Sequence, residues 1–210
     1  QHHAQAKVIS LSQSTEYATV YTIDELKAIG ALAKKHKMYF HMDGSRISNA
    51  AVSLQSDFAS FTRDVGVDVL SFGGTKNGMM FGEAVLVFNP ELAAELQYLR
   101  KQGMQLHSKM RFIAAQFSAL LTDDLWKKNA EHSNQMARLL ERELKKIREV
   151  QITKPVNANV VFAILPPNMI PLLQEKMFFY VWNERLSEVR LMCSWDTSSE
   201  EIMDFAKQLK

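Results

Sequence analysis

The stretch Ser71-Phe72-Gly73-Gly74-Thr75-Lys76-Asn77-Gly78 follows a short apolar run, Val67-Asp68-Val69-Leu70. It reads as a strand that ends in small residues and then offers one lysine. The carboxyl ends of strands in an α/β sheet border the ligand crevice, so this order of residues exposes an amine where ligands bind. A lysine becomes a covalent centre when its ammonium is partly desolvated, because the free amine can then condense with an aldehyde. Lys76 is the candidate for that role, and a solvated surface lysine is the plain alternative. The loop does not read as a nucleotide site, since it lacks the Gly-x-x-x-x-Gly-Lys-Ser/Thr order that aims lysine at a phosphate.

Upstream, Lys37-Met38-Tyr39-Phe40-His41-Met42 reads as a buried strand running into Asp43-Gly44-Ser45-Arg46, with a helix expected over Ile47 to Leu54. If this strand and the Asp68 to Phe72 strand are parallel neighbours, Asp43 and Lys76 converge on one crevice. A carboxylate that keeps a pyridine nitrogen protonated, with a lysine bound to the aldehyde, is what a pyridoxal electron sink requires. His41 lies two residues from Asp43; strand alternation turns it away from Met42, and it is expected in the core or against a helix.

His41-Met42-Asp43-Gly44-Ser45-Arg46 together with the Ser71 to Gly78 loop resembles the low-specificity L-threonine aldolases of the β-eliminating lyase group. The likeness extends to Ser12-Gln13-Ser14-Thr15-Glu16-Tyr17-Ala18-Thr19-Val20-Tyr21 and to Val189-Arg190-Leu191-Met192-Cys193-Ser194-Trp195-Asp196, so it covers essentially the whole chain. It implies an α/β fold of the PLP-dependent transferase (aspartate-aminotransferase) type: a mostly parallel sheet in the remainder of a large domain, then a small α+β C-terminal domain. It implies pyridoxal phosphate held as an internal aldimine on Lys76, with Asp43 at the ring nitrogen. Thr75 either hydrogen-bonds the phosphate or closes the loop. Arg46 and Arg190 are the implied contacts of the substrate carboxylate. His107 or Lys109 would approach the phosphate of a neighbouring subunit's cofactor, as in a homodimer or homotetramer. The implied reaction is retro-aldol cleavage of a small β-hydroxy amino acid, L-threonine or L-allo-threonine, to glycine and acetaldehyde. The other readings are an aminotransferase or another β-eliminating lyase on the same cofactor, or a catalytically inactive fragment. Family members carry a further stretch ahead of this region, with the turn that grips the phosphate and the ring that stacks on the pyridine. Gln1-His2-His3-Ala4-Gln5-Ala6-Lys7 instead opens next to a strand that should be central, so a fragment is expected.

Arg190 also stands out on its own terms, because it interrupts an apolar strand. An unpaired buried guanidinium is costly, so it should meet an anion: a substrate carboxylate, or internally Asp196 or Glu188. A planar fork suits a carboxylate.

Composition narrows the function classes. Over 210 residues the chain is 47% apolar and 23% charged with a formal charge of +2, ordinary for a globular protein. Lysines are scattered rather than gathered, which gives no reason to expect a nucleic-acid partner. No run of about 18 apolar residues suggests a membrane span, and no signal peptide is apparent. The single cysteine, Cys193, excludes an internal disulfide, fits a reducing, cytoplasmic setting, and reads as a core thiol. No metal cluster is expected.

Strands alternating with helices point to a large domain over residues 1–121. Thr22-Ile23-Asp24-Glu25 is a capping box opening a helix to about His36. Pro90 should open a helix through about Arg100, and a further helix covers Arg111 to Leu121. Thr122-Asp123-Asp124 should cap a long helix to about Arg148 that leads into a small domain over 122–210. Three strands, Asn159–Leu165, Met177–Trp182 and Val189–Cys193, precede a capping box at Thr197-Ser198-Ser199-Glu200 and a terminal helix to Gln208.

Overall fold

The computed structural model describes residues 2–209, so Gln1 and Lys210 lie outside the described residues. Strands β1 (Val8–Ser12), β2 (Tyr39–Gly44) and β3 (Val69–Gly73) pair in parallel, and β4 (Glu83–Val87) adds antiparallel to β3. Helix α1 (Ile23–Lys35) connects β1 to β2, and α2 (Ile47–Leu54) lies between β2 and β3. The Thr22 to Glu25 capping box is present in both directions. Alternation along the strands sends Phe40, Met42, Leu70 and Phe72 to one face, where they form a core with Leu26, Ala33, Ile47, Ala50 and Phe61. Each such large side chain contributes about 1.5–3 kcal/mol on burial. Gly30 lets α1 lie against the backbone of Val65, because a Cβ there would overlap the Val65 carbonyl oxygen. The opposite face carries Tyr39, His41 and Asp43 and is uncovered among the described residues, with Tyr39 and Val85 exposed.

After α3 (Leu96–Gln102) and α4 (Met110–Leu121), the long α5 (Leu125–Leu144) runs between two cores. Its amino-terminal half packs on α2 and places Trp126 against the sheet core. Ala137, Leu140 and Leu144 enter a second core. That core is built on an antiparallel sheet of order β5-β6-β8-β7: β5 (Gln151–Ile152), β6 (Val160–Ile164), β7 (Tyr180–Asn183) and β8 (Glu188–Met192). It is completed by α6 (Met169–Gln174) and α7 (Ser199–Gln208). No helix among the described residues is long and apolar enough to cross a membrane, and no metal-binding cluster of His, Cys, Asp and Glu is found among them.

Four local expectations differ from the structure. The helix from Pro90 to Arg100 is broken into a 3-10 turn at Pro90–Leu92 and α3, because no residue of either piece is buried and nothing rewards one continuous amphipathic helix. Thr122 does not cap α5: its hydroxyl donates to the Ser118 carbonyl at 2.6 Å, and Asp123 and Asp124 turn the chain through left-handed φ before the helix begins at Leu125. The second capping box uses Ser198 and Glu201, one residue later than read, while Thr197 Oγ1 accepts from the Ser194 amide. Met177 to Phe179 precede rather than form β7, since Phe179 is buried against Phe205.

The two cores are tied by a buried polar knot between α2 and α5. Asn49 Nδ2 donates to Ser133 Oγ at 2.8 Å and to Asn134 Oδ1 at 2.9 Å, and Asn134 Nδ2 donates back to the Asn49 carbonyl at 3.0 Å. In Asn134→Ala, Asn49 keeps its donors buried with one partner gone. The expected loss is about 1–3 kcal/mol of unfolding free energy by urea titration of the full-length protein, and an unchanged midpoint would show the knot to be dispensable.

Candidate active site

The register of the parallel strands aligns Ser12, Asp43 and Ser71 at their carboxyl ends. Beyond Asp43 the chain turns at once, and Ser45 caps the carboxylate: its amide donates to Oδ1 at 2.9 Å and its hydroxyl donates to the same oxygen at 2.6 Å. Oδ2 accepts no hydrogen bond among the described residues. The tip of β3 presses on this turn, because a Cβ on Gly73 would overlap the Ser45 backbone. Partial burial pushes the Asp43 carboxyl up, but the two Ser45 hydrogen bonds and the charges of Lys76 and His41 outweigh it and hold the group below the usual carboxylate value.

Lys76 sits in a single 3-10 turn, Thr75–Asn77, just past β3. In such a turn successive side chains point about 120° apart. Asn77 is buried, donating to the Trp126 carbonyl at 2.9 Å while Asn129 donates to its own carbonyl at 2.8 Å, so Lys76 is directed outward. The desolvated ammonium expected of a covalent centre is therefore not what the chain shows, since Lys76 is exposed. Thr75 closes the loop: its Oγ1 accepts from the Gly82 amide at 3.0 Å and donates to the Gly82 carbonyl at 3.3 Å.

His41 is neither in the core nor against a helix. Its ring spans three strands on the same face as Asp43, with Nδ1 at 2.8 Å from Ser10 Oγ and Nε2 at 3.1 Å from Ser71 Oγ. Alternation gives the reason: residues two apart share a face, so a side chain turned away from Met42 is turned toward the side of Asp43.

Arg46, at the start of α2, and Arg190, from the second sheet, are brought together although they belong to different cores. Both side chains are 7% exposed, and one carboxylate serves them: Glu16 lies 3.9 Å from Arg46 Nη1 and 3.5 Å from Arg190 Nη2. Burial and the neighbouring Arg190 lower the pKa of Arg46, with Glu16 and Asp43 acting in the opposite sense. Neither internal partner foreseen for Arg190 is used, since Glu188 instead accepts from the Thr153 hydroxyl. Glu16 was not singled out from sequence. The available signal was its place in the polar loop after β1, beside the strand end that carries Asp43. That loop is braced by Gln13, whose side chain donates to the Tyr21 carbonyl at 2.9 Å and accepts from the Tyr21 amide at 3.0 Å. His107 and Lys109 lie in the exposed segment between α3 and α4.

Cys193 is 2% exposed, and burial pushes its thiol up to about 12. Thiolate is thus scarce at neutral pH, and native protein at pH 8 should react with a disulfide reagent such as DTNB only after unfolding; rapid native labelling would contradict that burial. Asp43 has a second consequence. Its folded pKa is below the ordinary 3.8, so its ionised form adds stability above that value, and the gain is lost as pH falls through the folded pKa. Urea titrations should show Asp43→Asn less stable than the parent at neutral pH, with the gap closing below about pH 4. A gap that persists in acid would assign the loss to packing.

A family model described as beta-eliminating lyase matches residues 1–166. A low specificity L-threonine aldolase of Pseudomonas aeruginosa is 43% identical over 209 residues, covering 100% of this chain and 60% of that protein. This chain thus spans about 60% of the length of such relatives. A threonine aldolase structure from Leishmania major superposes with a TM-score of 0.89 at 32% identity, covering 97% of this chain and 60% of that one. A PLP-dependent aminotransferase structure from Streptococcus suis, at 15% identity and a TM-score of 0.71 over 97% of this chain and 56% of that one, shares the fold alone.

Proposed function

This chain belongs to the beta-eliminating lyase family, and from that premise we propose that the full protein is a pyridoxal-phosphate-dependent threonine aldolase, cleaving L-threonine or L-allo-threonine to glycine and acetaldehyde. One observation carries the reading: adjacent parallel strand ends deliver Asp43 and Lys76 to one edge of the sheet, where the lysine charge adds to the Ser45 hydrogen bonds that keep the carboxyl ionised. The residues present fit the cofactor. A carboxylate kept ionised with one oxygen unpartnered suits a protonated pyridine nitrogen, and an accessible amine suits an aldehyde. Pyridoxal phosphate, when bound, supplies a sink for the electron pair released at the substrate α-carbon.

The chain's own residues have separable parts. Asp43 would hold a positive charge on the ring nitrogen, a task that needs the carboxyl ionised, as its lowered pKa keeps it. Lys76 is the amine that would hold the cofactor aldehyde, and its exposure leaves it accessible to do so. Arg46 and Arg190 present paired guanidinium forks that fix the substrate carboxylate, and with it the orientation of the bond to be broken. Thr75 keeps the lysine loop closed by accepting from the Gly82 amide, and its one hydroxyl proton would turn from the Gly82 carbonyl to a phosphate oxygen. His107, on the exposed segment after α3, is the proposed contact to the phosphate in a neighbouring subunit of a homodimer or homotetramer. The protein is taken to be cytoplasmic, with residues 1–121 as the rear of the large domain and 122–210 as the small one.

Borohydride reduction of the full-length protein with pyridoxal phosphate, followed by peptide mapping, should label Lys76. Lys76→Ala should then lower threonine cleavage at least about a thousandfold, a loss typical of removing a covalent catalyst. A label elsewhere would overturn the assignment, and keto-acid formation in place of acetaldehyde would replace aldolase by aminotransferase.

A further inference from the structure

The twin-arginine clamp is short of negative charge. Arg46 and Arg190 are both buried, and the Nε of each has no hydrogen-bond partner. Their shared carboxylate belongs to Glu16, whose side chain is 62% exposed, and its oxygens stand 3.9 and 3.5 Å from the nearest guanidinium nitrogens. Charge-assisted N–H···O bonds run at about 2.7–2.9 Å, so both contacts are loose. Within 4 Å the two guanidinium groups share one carboxylate, so the pair keeps positive charge that a further carboxylate would complement.

The surroundings hold the arginines firmly and Glu16 lightly. Arg190 lies over the Trp182 ring at 5.9 Å, and Arg46 Nη2 rests against the Met192 sulfur at 4.0 Å. The loop beneath Glu16 is fixed by the Gln13 to Tyr21 brace, by a 2.7 Å bond between the Thr15 and Thr19 hydroxyls, and by buried Ala18. Tyr17 is anchored on Phe162 and Trp182 at centroid distances of 5.6 and 5.9 Å. The Glu16 side chain can therefore swing out to solvent with the loop still in place.

We propose that Glu16 is a built-in counter-ion of the clamp, a placeholder that a ligand carboxylate displaces, so that Glu16 sets the affinity of the site for monocarboxylates. The inference rests on Arg46 and Arg190 being the carboxylate clamp of the proposed function. It makes Glu16 a specificity-determining residue. The glutamate neutralises part of the arginine charge when the site is empty, and every incoming carboxylate must compete with it.

The test titrates acetate against the thermal midpoint of the full-length protein and of Glu16→Gln, with chloride at equal ionic strength as the control. Glu16→Gln should have the lower midpoint without acetate, because the two guanidinium groups then lack their shared anion. It should respond at about three- to tenfold lower acetate, the competition expected from two loose, partly exposed ion pairs. Glu16→Asp, whose shorter carboxylate retracts from both arginines, should fall between the two, and supplies the comparison if Glu16→Gln does not fold. Equal acetate dependence in parent and variants would overturn the proposal. So would weaker binding in Glu16→Gln, which would make the glutamate a support of the clamp rather than its competitor. The outcome is separate from the labelling of Lys76: an unlabelled lysine sinks the aldolase reading and leaves this comparison intact.

Discussion

Parallel hydrogen bonding among β1, β2 and β3 is the constraint on which the site depends. It brings Ser12, Asp43 and Ser71 into line, so that Glu16, Arg46 and Lys76, in the segments that follow them, start from one edge of the sheet. The period of a strand is two, and a slip of one residue in β2 would carry Asp43 to the face of Phe40 and Met42 and put His41 out of reach of both serines. Burial of Phe40 and Met42 prevents that slip, because it would turn both to the uncovered face at once, away from Leu70 and Phe72. The apolar residues of the strands thus fix the position of the polar ones between them.

A second dependence runs between the two cores. Arg190 is held near Glu16 and Arg46 by two seats: α5 on α2, through the Asn49, Ser133 and Asn134 bonds, and the loop after β1 on the second sheet, through Tyr17 and Ala18 against Phe162. A polar knot suits this task better than a greasy contact. Directional bonds allow one relative placement of the helices, whereas apolar surfaces tolerate sliding. Asn77 and Asn129 extend the same logic to the lysine loop, which is bonded to α5 as well as to Gly82 and Glu83 at the start of β4. The helix that runs between the two cores therefore also helps to set the position of the lysine.

The site keeps its charges in different environments. Asp43 is held ionised by short local bonds from Ser45 and by nearby positive charge, and it needs no distant partner. The two arginines are buried, share one loose carboxylate, and retain unpartnered Nε atoms. The first arrangement is ionised by its local bonds with one oxygen left open, while the second has more buried positive charge than its one carboxylate meets.

The sequence by itself determined the elements that rest on local physics. The Thr22 capping box, α2 over Ile47–Leu54, the strand carrying Asp43 and the lysine loop after β3 follow from apolar spacing, hydroxyl caps and glycine. Asp43, Lys76 and Arg190 could be picked out because a charge at or just past a strand end, or inside an apolar strand, contradicts its surroundings, whereas Arg46 was legible only through the family resemblance. Local signals failed where two choices were nearly equal in energy: Ser198 over Thr197 as the cap, a 3-10 turn over a helix at Pro90, and left-handed aspartates after Thr122. Only the tertiary structure decided the rest. Glu16 becomes the partner of two arginines, and His41 a bridge between Ser10 and Ser71, through contacts made by residues far apart in the chain. Periodicity tells which way a side chain faces, but its partner across the fold is set by how the sheets and helices pack.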